Sequence, residues 1–390
     1  MDASLFRAGR LRLRGRIAMV CIAVSYLVMI MAMSVSSGFR YEIRSGLSGL
    51  SGDILISTTD LNVSGEDTPI ESDAAYLPYL REMEQISGIK PVVYRAGIVR
   101  HEDSMHGVVV KGLPDFDAPD SVSLAVSIPR SLADASGLKT GDRMLTYFVG
   151  GKMKLRQFNI VDIHDALVET DNRHVVYASL SDMQRLNGWA DNQVSAIEMS
   201  LYPEYADEDG ISAANEEAGT MINAYRAEDE EYVIATSSVS RYPQLFGWLS
   251  LIDFNVFFIL LLMTIVAGFN MISGLLIMLF ENTSVIGLLK SLGMTDRSIA
   301  KVFLASSSVI VGKGMAVGNI LAVLLCVLQG TTHFLKLDPE NYYVSFVPVH
   351  LDPGMMLVAD AVSFAVIMLL LTIPCIFISK VDPAETVRVR

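Results

Sequence analysis

The residue types that do acid–base or metal chemistry are few and scattered in this 390-residue chain. His101, His106, His164 and His174 fall within one polar stretch. None is spaced as HxxxH, which would put two imidazoles on one helical face for a metal. His101-Glu102-Asp103 reads as a solvated turn. Asp162, His164 and Asp165 have metal-ligand chemistry, but a strand end with charged exits accounts for the same residues. No GxSxG is present, and no GxxxxGK[ST] loop to cradle phosphates. The nearest string, Val311-Gly312-Lys313-Gly314, sits inside an apolar run. Cys21, Cys326 and Cys375 all lie in apolar segments without a CxxC pair, so they read as small packing residues rather than redox or metal centres. These residues predict no catalytic centre, no metal and no cofactor in this chain.

The informative segment is Glu281–Lys301, ENTSVIGLLKSLGMTDRSIAK. It is a short connection between long apolar stretches, yet Val285, Ile286, Leu288, Leu289 and Leu292 make it apolar. Ile286 with Leu289, and Val285 with Leu292, recur at helical spacing. Gly293 is a C-terminal stop, and Thr295, Asp296 and Ser298 read as the cap of the next helix. The expectation is a two-turn amphipathic helix over 282–292 whose apolar face needs a partner. One reading lays it in the lipid interface; the other docks it into a cytoplasmic motor subunit through Ile286, Leu289 and Leu292, with Val285 and Gly293 alongside.

Composition frames this segment. The chain is 51% hydrophobic and 19% charged, with mean hydropathy +0.41. That is too apolar for an ordinary soluble protein and too charged for one wholly embedded in lipid. Net charge is −13, but residues 40–246 carry 17 Lys+Arg against 33 Asp+Glu, and the remainder is slightly positive. The acidic segment excludes nucleic acid as a partner.

About 20 apolar residues cross a bilayer. Four segments qualify: 17–39, 254–280, 302–328 and 357–379, the third interrupted only by Lys313. The first lacks a cleavage-site pattern and is expected to be a retained anchor. Arg7, Arg10, Arg12, Arg14 and Arg16 precede it, which predicts a cytoplasmic N-terminus. Residues 281–301 and the C-terminal tail then fall in the cytoplasm, and 40–246 and 330–356 outside. Residues 1–16 are expected to form a separate interfacial helix.

The segment 40–246 reads as mixed α/β. GDILIST, KPVVYRAGIV, MHGVVVKGL, FNIVDIH and SAIEMSLY alternate as strands. YLPYLREMEQIS, PRSLADASG, LSDMQRLNGW and a stretch around Ile211–Arg226 read as helices. TYFVGGKMKLRQF reads as a hairpin turning at Gly150-Gly151. The fold class is therefore a membrane protein with four transmembrane α-helices and a large mixed α/β extracytoplasmic domain between helices one and two.

Several strings carry a resemblance: SSGFRYEIRSGLSGLSGDI after the first span, VKGL in the α/β segment, and GFNMISGLLIMLFENTSVIGLLKSLGMTDRSIAKVF. LDPENYYVSFVPV and the DPAETVRVR tail complete the set. Together the chain resembles the FtsX/MacB mechanotransmission permeases of ABC transporters, and is most similar to the LolC/LolE lipoprotein-releasing group. The resemblance implies a MacB-like periplasmic domain over 40–246 and an FtsX-like permease domain over 247–390. It implies a bacterial inner-membrane, multi-pass protein that is not itself an enzyme. A cytoplasmic ABC ATPase dimer would bind ATP and Mg. A second permease subunit (this chain or a paralogue), lipoprotein cargo, membrane lipid and a periplasmic lipoprotein carrier are the implied partners. The chaperone-recruiting member of that group carries a long Pro-containing hook; here the corresponding place is the tight hairpin Tyr147–Phe158. An FtsX-like regulator of an extracytoplasmic partner, and MacB-like export of another substrate, are the alternative readings.

Two further sites are expected. Cargo acyl chains need an apolar surface beside water, near Met29 and Met33 on span one and Phe254, Phe257, Phe258 and Leu261 on span two. Lys313, with Gly314 and Gly318 where helices can approach closely, is expected either at a subunit interface or as a snorkelling cation.

Overall fold

A computed structural model describes residues 2–58, 68–101, 104–117, 122–148, 154–165, 174–338 and 342–376, with side chains from residue 17 onward. The chain divides into two compact units. Unit 1 comprises Met1–Tyr41, Leu249–Lys336 and Phe346–Arg390; unit 2 comprises Glu42–Trp248 and Leu337–Ser345.

Unit 1 is helical. Helix α1 (Asp2–Ser51) enters it and ends in unit 2; α7 (Pro243–Glu281), α8 (Thr283–Ser291), α9 (Asp296–Thr332) and α10 (Pro353–Leu370) follow, with a last turn at Thr372–Cys375. Four of these helices are long and apolar enough to cross a membrane. Asp352 caps α10 by accepting from the Gly354 and Met355 amides, and Pro353 occupies the first helical position, where its missing N–H costs nothing.

The bundle core is built from four-residue spacing. Ile22, Tyr26 and Met29 of α1 meet Ala267, Met271, Leu275 and Leu279 of α7, with Val311 of α9 and Ile367 of α10. Small residues allow the closest approaches. A Cβ at Gly314 would lie 2.8 Å from Ile22 Cγ2, and one at Gly318 would lie 2.5 Å from the Ala23 carbonyl. The Gly314-x-x-x-Gly318 stripe of α9 is therefore filled by α1 of the same chain.

Unit 2 is built around a nine-stranded sheet among the described residues, in the order β11-β1-β10-β3-β4-β8-β5-β7-β6. The strands are β1 (Ile54–Thr58), β3 (Ile86–His101), β4 (Ser104–Leu113), β5 (Ala125–Pro129), β6 (Arg143–Phe148), β7 (Lys154–His164), β8 (His174–Ser179), β10 (Ala196–Leu201) and β11 (Val233–Ser237). Strands β2 (Ile70–Glu71) and β9 (Gln193–Val194) form a separate pair. The 16-residue β3 pairs with β10 along its first half, and with both β4 and β6 along its second. The β3–β6 pairing closes six strands into a ring. Gly97 permits it: a Cβ there would sit 2.8 Å from Thr146 Cγ2.

Helices α2 (Leu77–Arg81), α3 (Arg130–Ser136), α4 (Leu180–Asn187), α5 (Glu208–Tyr225) and α6 (Ser238–Arg241) cover or join the strands. Helix α5 starts at Asp207, whose carboxylate accepts the Gly210 amide, and buries Ile211, Ala214, Ala218 and Ile222 on one face.

Several expectations change. The interfacial helix over 1–16 is not a separate element, because α1 runs unbroken from Asp2 to Ser51. The helix expected over YLPYLREMEQIS is only one turn, since Ile86 already belongs to β3. Strands β5, β8 and β11 were not expected; VIATS and AVSIP lack clean alternation. The hairpin pairs as expected between β6 and β7, and its turn at Gly150-Gly151 lies outside the described residues.

Candidate functional site

Helix α8 is set by its ends. Gly293 takes φ +88°, which stops the helix at little steric cost, and Thr295 Oγ1 accepts the Ser298 amide at 3.4 Å to start α9. Lys290 pairs with Asp296 at 3.0 Å and fixes the turn between the two helices. The orientation of α8 differs from the expectation. Ile286 is 1% exposed and belongs to the bundle core, and Leu289 packs against that core. These two residues are already covered by their own chain. Val285 (52%), Leu288 (55%) and Leu292 (76%) are the exposed apolar residues. They recur at i, i+3 and i+7 and form one stripe. The free face is thus Val285–Leu288–Leu292, in place of Ile286–Leu289–Leu292.

The expected cargo residues also separate. Met29 and Met33 are buried inside the bundle, and Thr264 Oγ1 of α7 lies 3.7 Å from Met29 Sδ. Neither methionine presents a surface. Phe254, Phe257, Phe258 and Leu261 are exposed on α7. Phe258 packs edge-on against Phe254 and Phe257, with ring centroids 4.7 and 5.9 Å apart. The methionines and this aromatic patch do not form one site.

Lys313 is exposed on α9, while Gly314 and Gly318 are buried against α1. The two glycines serve packing within the chain and are not available to a second subunit. Nearby, Tyr26 and Ser363 hydroxyls are 2.9 Å apart, and Asn319 Nδ2 donates to Asp360 Oδ2 at 2.5 Å. Asp360 on α10 is a buried carboxyl that the sequence reading missed; a lone acidic residue inside the apolar segment 357–379 is the signal.

Two of the quoted strings meet in unit 1. A Cβ at Gly38 of SSGFR would lie 2.4 Å from the Pro348 carbonyl of the FVPV segment. The His350 amide donates to Ser34 O at 3.0 Å, and the His350 ring stacks on Tyr41 at 5.0 Å. Ser36 Oγ donates to Asp253 at 2.7 Å and Arg40 pairs with the same carboxylate, so α1 and α7 are tied there too.

In unit 2 the sequence candidates Asp162, His164 and Asp165 have structural partners. Ser127 Oγ lies 2.8 Å from His164 Nδ1 and donates to Asp162 at 3.1 Å. Asp165 pairs with Arg130, whose hydrogen bond holds its carboxyl below the usual range. Burial pushes His164 below its ordinary pKa, with Asp162 and Asp165 opposing that shift. Among the described residues no group of three His, Cys, Asp or Glu is placed to hold a metal ion. His101 sits at the end of β3, while Glu102 and Asp103 lie outside the described residues.

Four helices long and apolar enough to cross a membrane thus stand with an amphipathic helix that has a free apolar stripe, and with a mixed α/β unit. Residues 257–383 match the FtsX-like permease C-terminal family. The chain is 22% identical over 403 residues to the lipoprotein-releasing system transmembrane protein LolC of Neisseria meningitidis, covering 94% of this chain and 92% of that one. It is likewise 22% identical to the lipoprotein-releasing system transmembrane protein LolE of Haemophilus influenzae, covering 93% and 91%. Among solved structures, the extracellular domain of the ABC-type transporter YknZ aligns with 48% of this chain and 100% of its own, at 10% identity and TM-score 0.30. The periplasmic region of MacB from Actinobacillus actinomycetemcomitans aligns over 49% and 91%, at 11% identity and TM-score 0.30. Residues 257–383 thus carry the pattern of an FtsX-like permease domain, and the chain along most of its length is similar to LolC and LolE.

Proposed function

We propose that this chain is the permease subunit of an ABC transporter that uses ATP hydrolysis by a partner ATPase dimer to extract lipoproteins from the inner membrane for transfer to the outer membrane. The observation that carries the reading is the exposed Val285–Leu288–Leu292 stripe on a helix fixed to the bundle by Ile286 and Leu289. A rigidly held helix with a free apolar face can pass a push from a bound motor into the membrane helices. Similarity to lipoprotein-releasing proteins along 94% of the chain supports the cargo class. The N- and C-termini are then cytoplasmic, and unit 2 is periplasmic.

The aromatic patch Phe254–Phe257–Phe258 with Leu261 is the cargo surface in this reading. Flat rings with few rotamers suit acyl chains of varied packing. The exposed face of α9 that carries Lys313 is where a second permease subunit, identical or paralogous, covers a cation that lipid would disfavour by about 2.5–3.5 kcal/mol. A photo-crosslinker at Phe257, in membranes containing the ATPase, should capture a lipid-modified protein before ATP is added and lose it afterwards. Crosslinks to phospholipid alone, unchanged by ATP, would replace lipoprotein release with the regulatory, FtsX-like reading.

A further inference from the structure

The C-terminal end of α1 is fastened inside unit 2 by side chains distant from it in sequence. The last carbonyls of a helix have no intrahelical partners, and helix ends fray unless something caps them. Here four successive carbonyls are capped by two cations. Lys111 Nζ, on β4, donates to Gly49 O at 3.1 Å and to Leu50 O at 3.0 Å. Arg241 Nη2, on α6, donates to Ser51 O and Gly52 O, each at 3.0 Å. Both charges also sit at the negative end of the helix dipole. Hydrogen bonds from ionised donors are roughly twice as strong as neutral ones.

The cap is itself anchored to the sheet. The Lys111 side chain is 1% exposed and pairs with Glu198 of β10 at 2.8 Å, and Glu198 also accepts the Tyr94 hydroxyl of β3. Gly52 takes φ +68°, and a Cβ there would meet Glu198 Cβ and Met199 O at 3.0 Å. Asp53 then locks the exit. Its carboxylate accepts the Leu201 amide at 2.8 Å and Ser48 Oγ at 3.2 Å, and its carbonyl accepts the Ser238 amide at 2.7 Å. Arg241 immediately precedes α7, which begins at Pro243, and Tyr242 Oη lies 3.4 Å from Ser51 Oγ. The end of one membrane-crossing helix and the start of the next therefore meet in a single knot on three strands.

We propose that Lys111, Glu198 and Arg241 are positioning residues of a force-bearing joint that hands movement of α1 to the sheet of unit 2. The inference rests on the reading of this chain as an ATP-driven permease and deepens it by naming where motion crosses from helix to sheet. An uncapped last turn would unwind under load and absorb the stroke. A capped one moves β3, β4 and β10 with it.

Lys111→Met alone would strand the Glu198 carboxylate in the interior and could unfold unit 2, so the test uses the double variant Lys111→Met/Glu198→Leu, which removes both charges. Arg241→Met tests the second cation, with Arg241→Lys as the conservative rescue. Each is assembled with the partner ATPase in proteoliposomes containing a lipid-modified protein. Spin labels at Glu216→Cys in unit 2 and Lys301→Cys at the start of α9, in a background without Cys21, Cys326 and Cys375, report motion directly. The wild type should show an ATP-dependent change in label separation. The double variant and Arg241→Met should hydrolyse ATP at a rate within about twofold of the wild type. They should lose that change, lose cargo release at least tenfold, and exchange the amides around residues 48–53 faster; Arg241→Lys should restore all three. Wild-type motion and release in the double variant would overturn the joint, as would a wild type whose labels do not move with ATP. A wild type that moves without releasing cargo would overturn the lipoprotein reading and leave the joint standing.

Discussion

Leu288→Asp should strip the partner ATPase from this permease, while Ile286→Ala should weaken the permease itself. The two residues sit two positions apart on one helix, and their roles separate because of burial. Fully burying an aliphatic side chain is worth roughly 1.5–3 kcal/mol. Val285 and Leu288 have already lost about half of their exposure to their own chain, and Leu292 about a quarter. Docking can therefore still gain about 1 kcal/mol from each of the first two and about 2 kcal/mol from the third. Replacing Leu288 with aspartate removes that ~1 kcal/mol and forces a carboxylate against an apolar groove, at a further ~1–3 kcal/mol. The sum, about 2–4 kcal/mol, weakens binding roughly thirty- to several-hundred-fold at 1.4 kcal/mol per decade. Ile286→Ala instead leaves a cavity in the bundle and costs about 2–5 kcal/mol of stability. The assay is a detergent pull-down of the ATPase on tagged permease, with thermal unfolding of the permease alone measured in parallel. Leu288→Asp should lose the ATPase at an unchanged Tm, and Ile286→Ala should lower Tm. Full recovery of the ATPase on Leu288→Asp would refute the assignment of the free stripe.

Gly318→Leu should lower the thermal stability of the bundle by several degrees or prevent folding, because its Cβ would fall 2.5 Å from the Ala23 carbonyl; Gly312→Leu, on the open side of α9, should not. Equal effects of the two substitutions on size-exclusion profile and Tm would remove the close approach of α1 and α9 as the explanation. His164 gives a pH dependence. Its folded pKa lies below the ordinary 6.5, so the unfolded chain takes up the proton first as pH falls. The stability of unit 2 should therefore decline as pH drops below 6.5 toward the lowered value, and His164→Gln should flatten that decline in a plot of Tm against pH. An unchanged slope in the variant would assign the effect to another group.

The membrane helices were legible because hydrophobicity alone specifies them: uninterrupted apolar runs of sufficient length have no other stable form. Their true lengths were not legible. SSGFRYEIRSGLSG carries polar and charged residues, so hydropathy ends the first span at Phe39, yet α1 continues to Ser51. What extends it lies elsewhere in the chain. Ser36 and Arg40 have Asp253, Gly38 has the Pro348 backbone, and the last carbonyls have Lys111 and Arg241. The same limit explains the missed strands: AVSIP and VIATS are fixed by neighbours rather than by alternation.

The site was half legible for a related reason. Helical spacing identifies α8 as amphipathic, but it carries two apolar stripes, Ile286 with Leu289 and Val285 with Leu288 and Leu292. Periodicity ranks neither above the other; only the position of the bundle decides which is covered. The buried Lys111–Glu198 pair in unit 2 left a clearer trace. In VVVKGL the β alternation puts Lys111 on the same side as Val109 and Leu113, and in AIEMSL it puts Glu198 on the side of Ala196. Those apolar residues line a small core with Leu55, Val92 and Tyr94. A lysine and a glutamate on apolar sides of two strands are each expensive when buried alone, and together they form a neutral pair. Such a pair is weak evidence of stability, because apolar residues would fill the same space at lower cost. What apolar residues could not do is donate three hydrogen bonds at once to a helix end and a carboxylate. That requirement, one side chain meeting both a helix end and a carboxylate, is what a cation at position 111 satisfies.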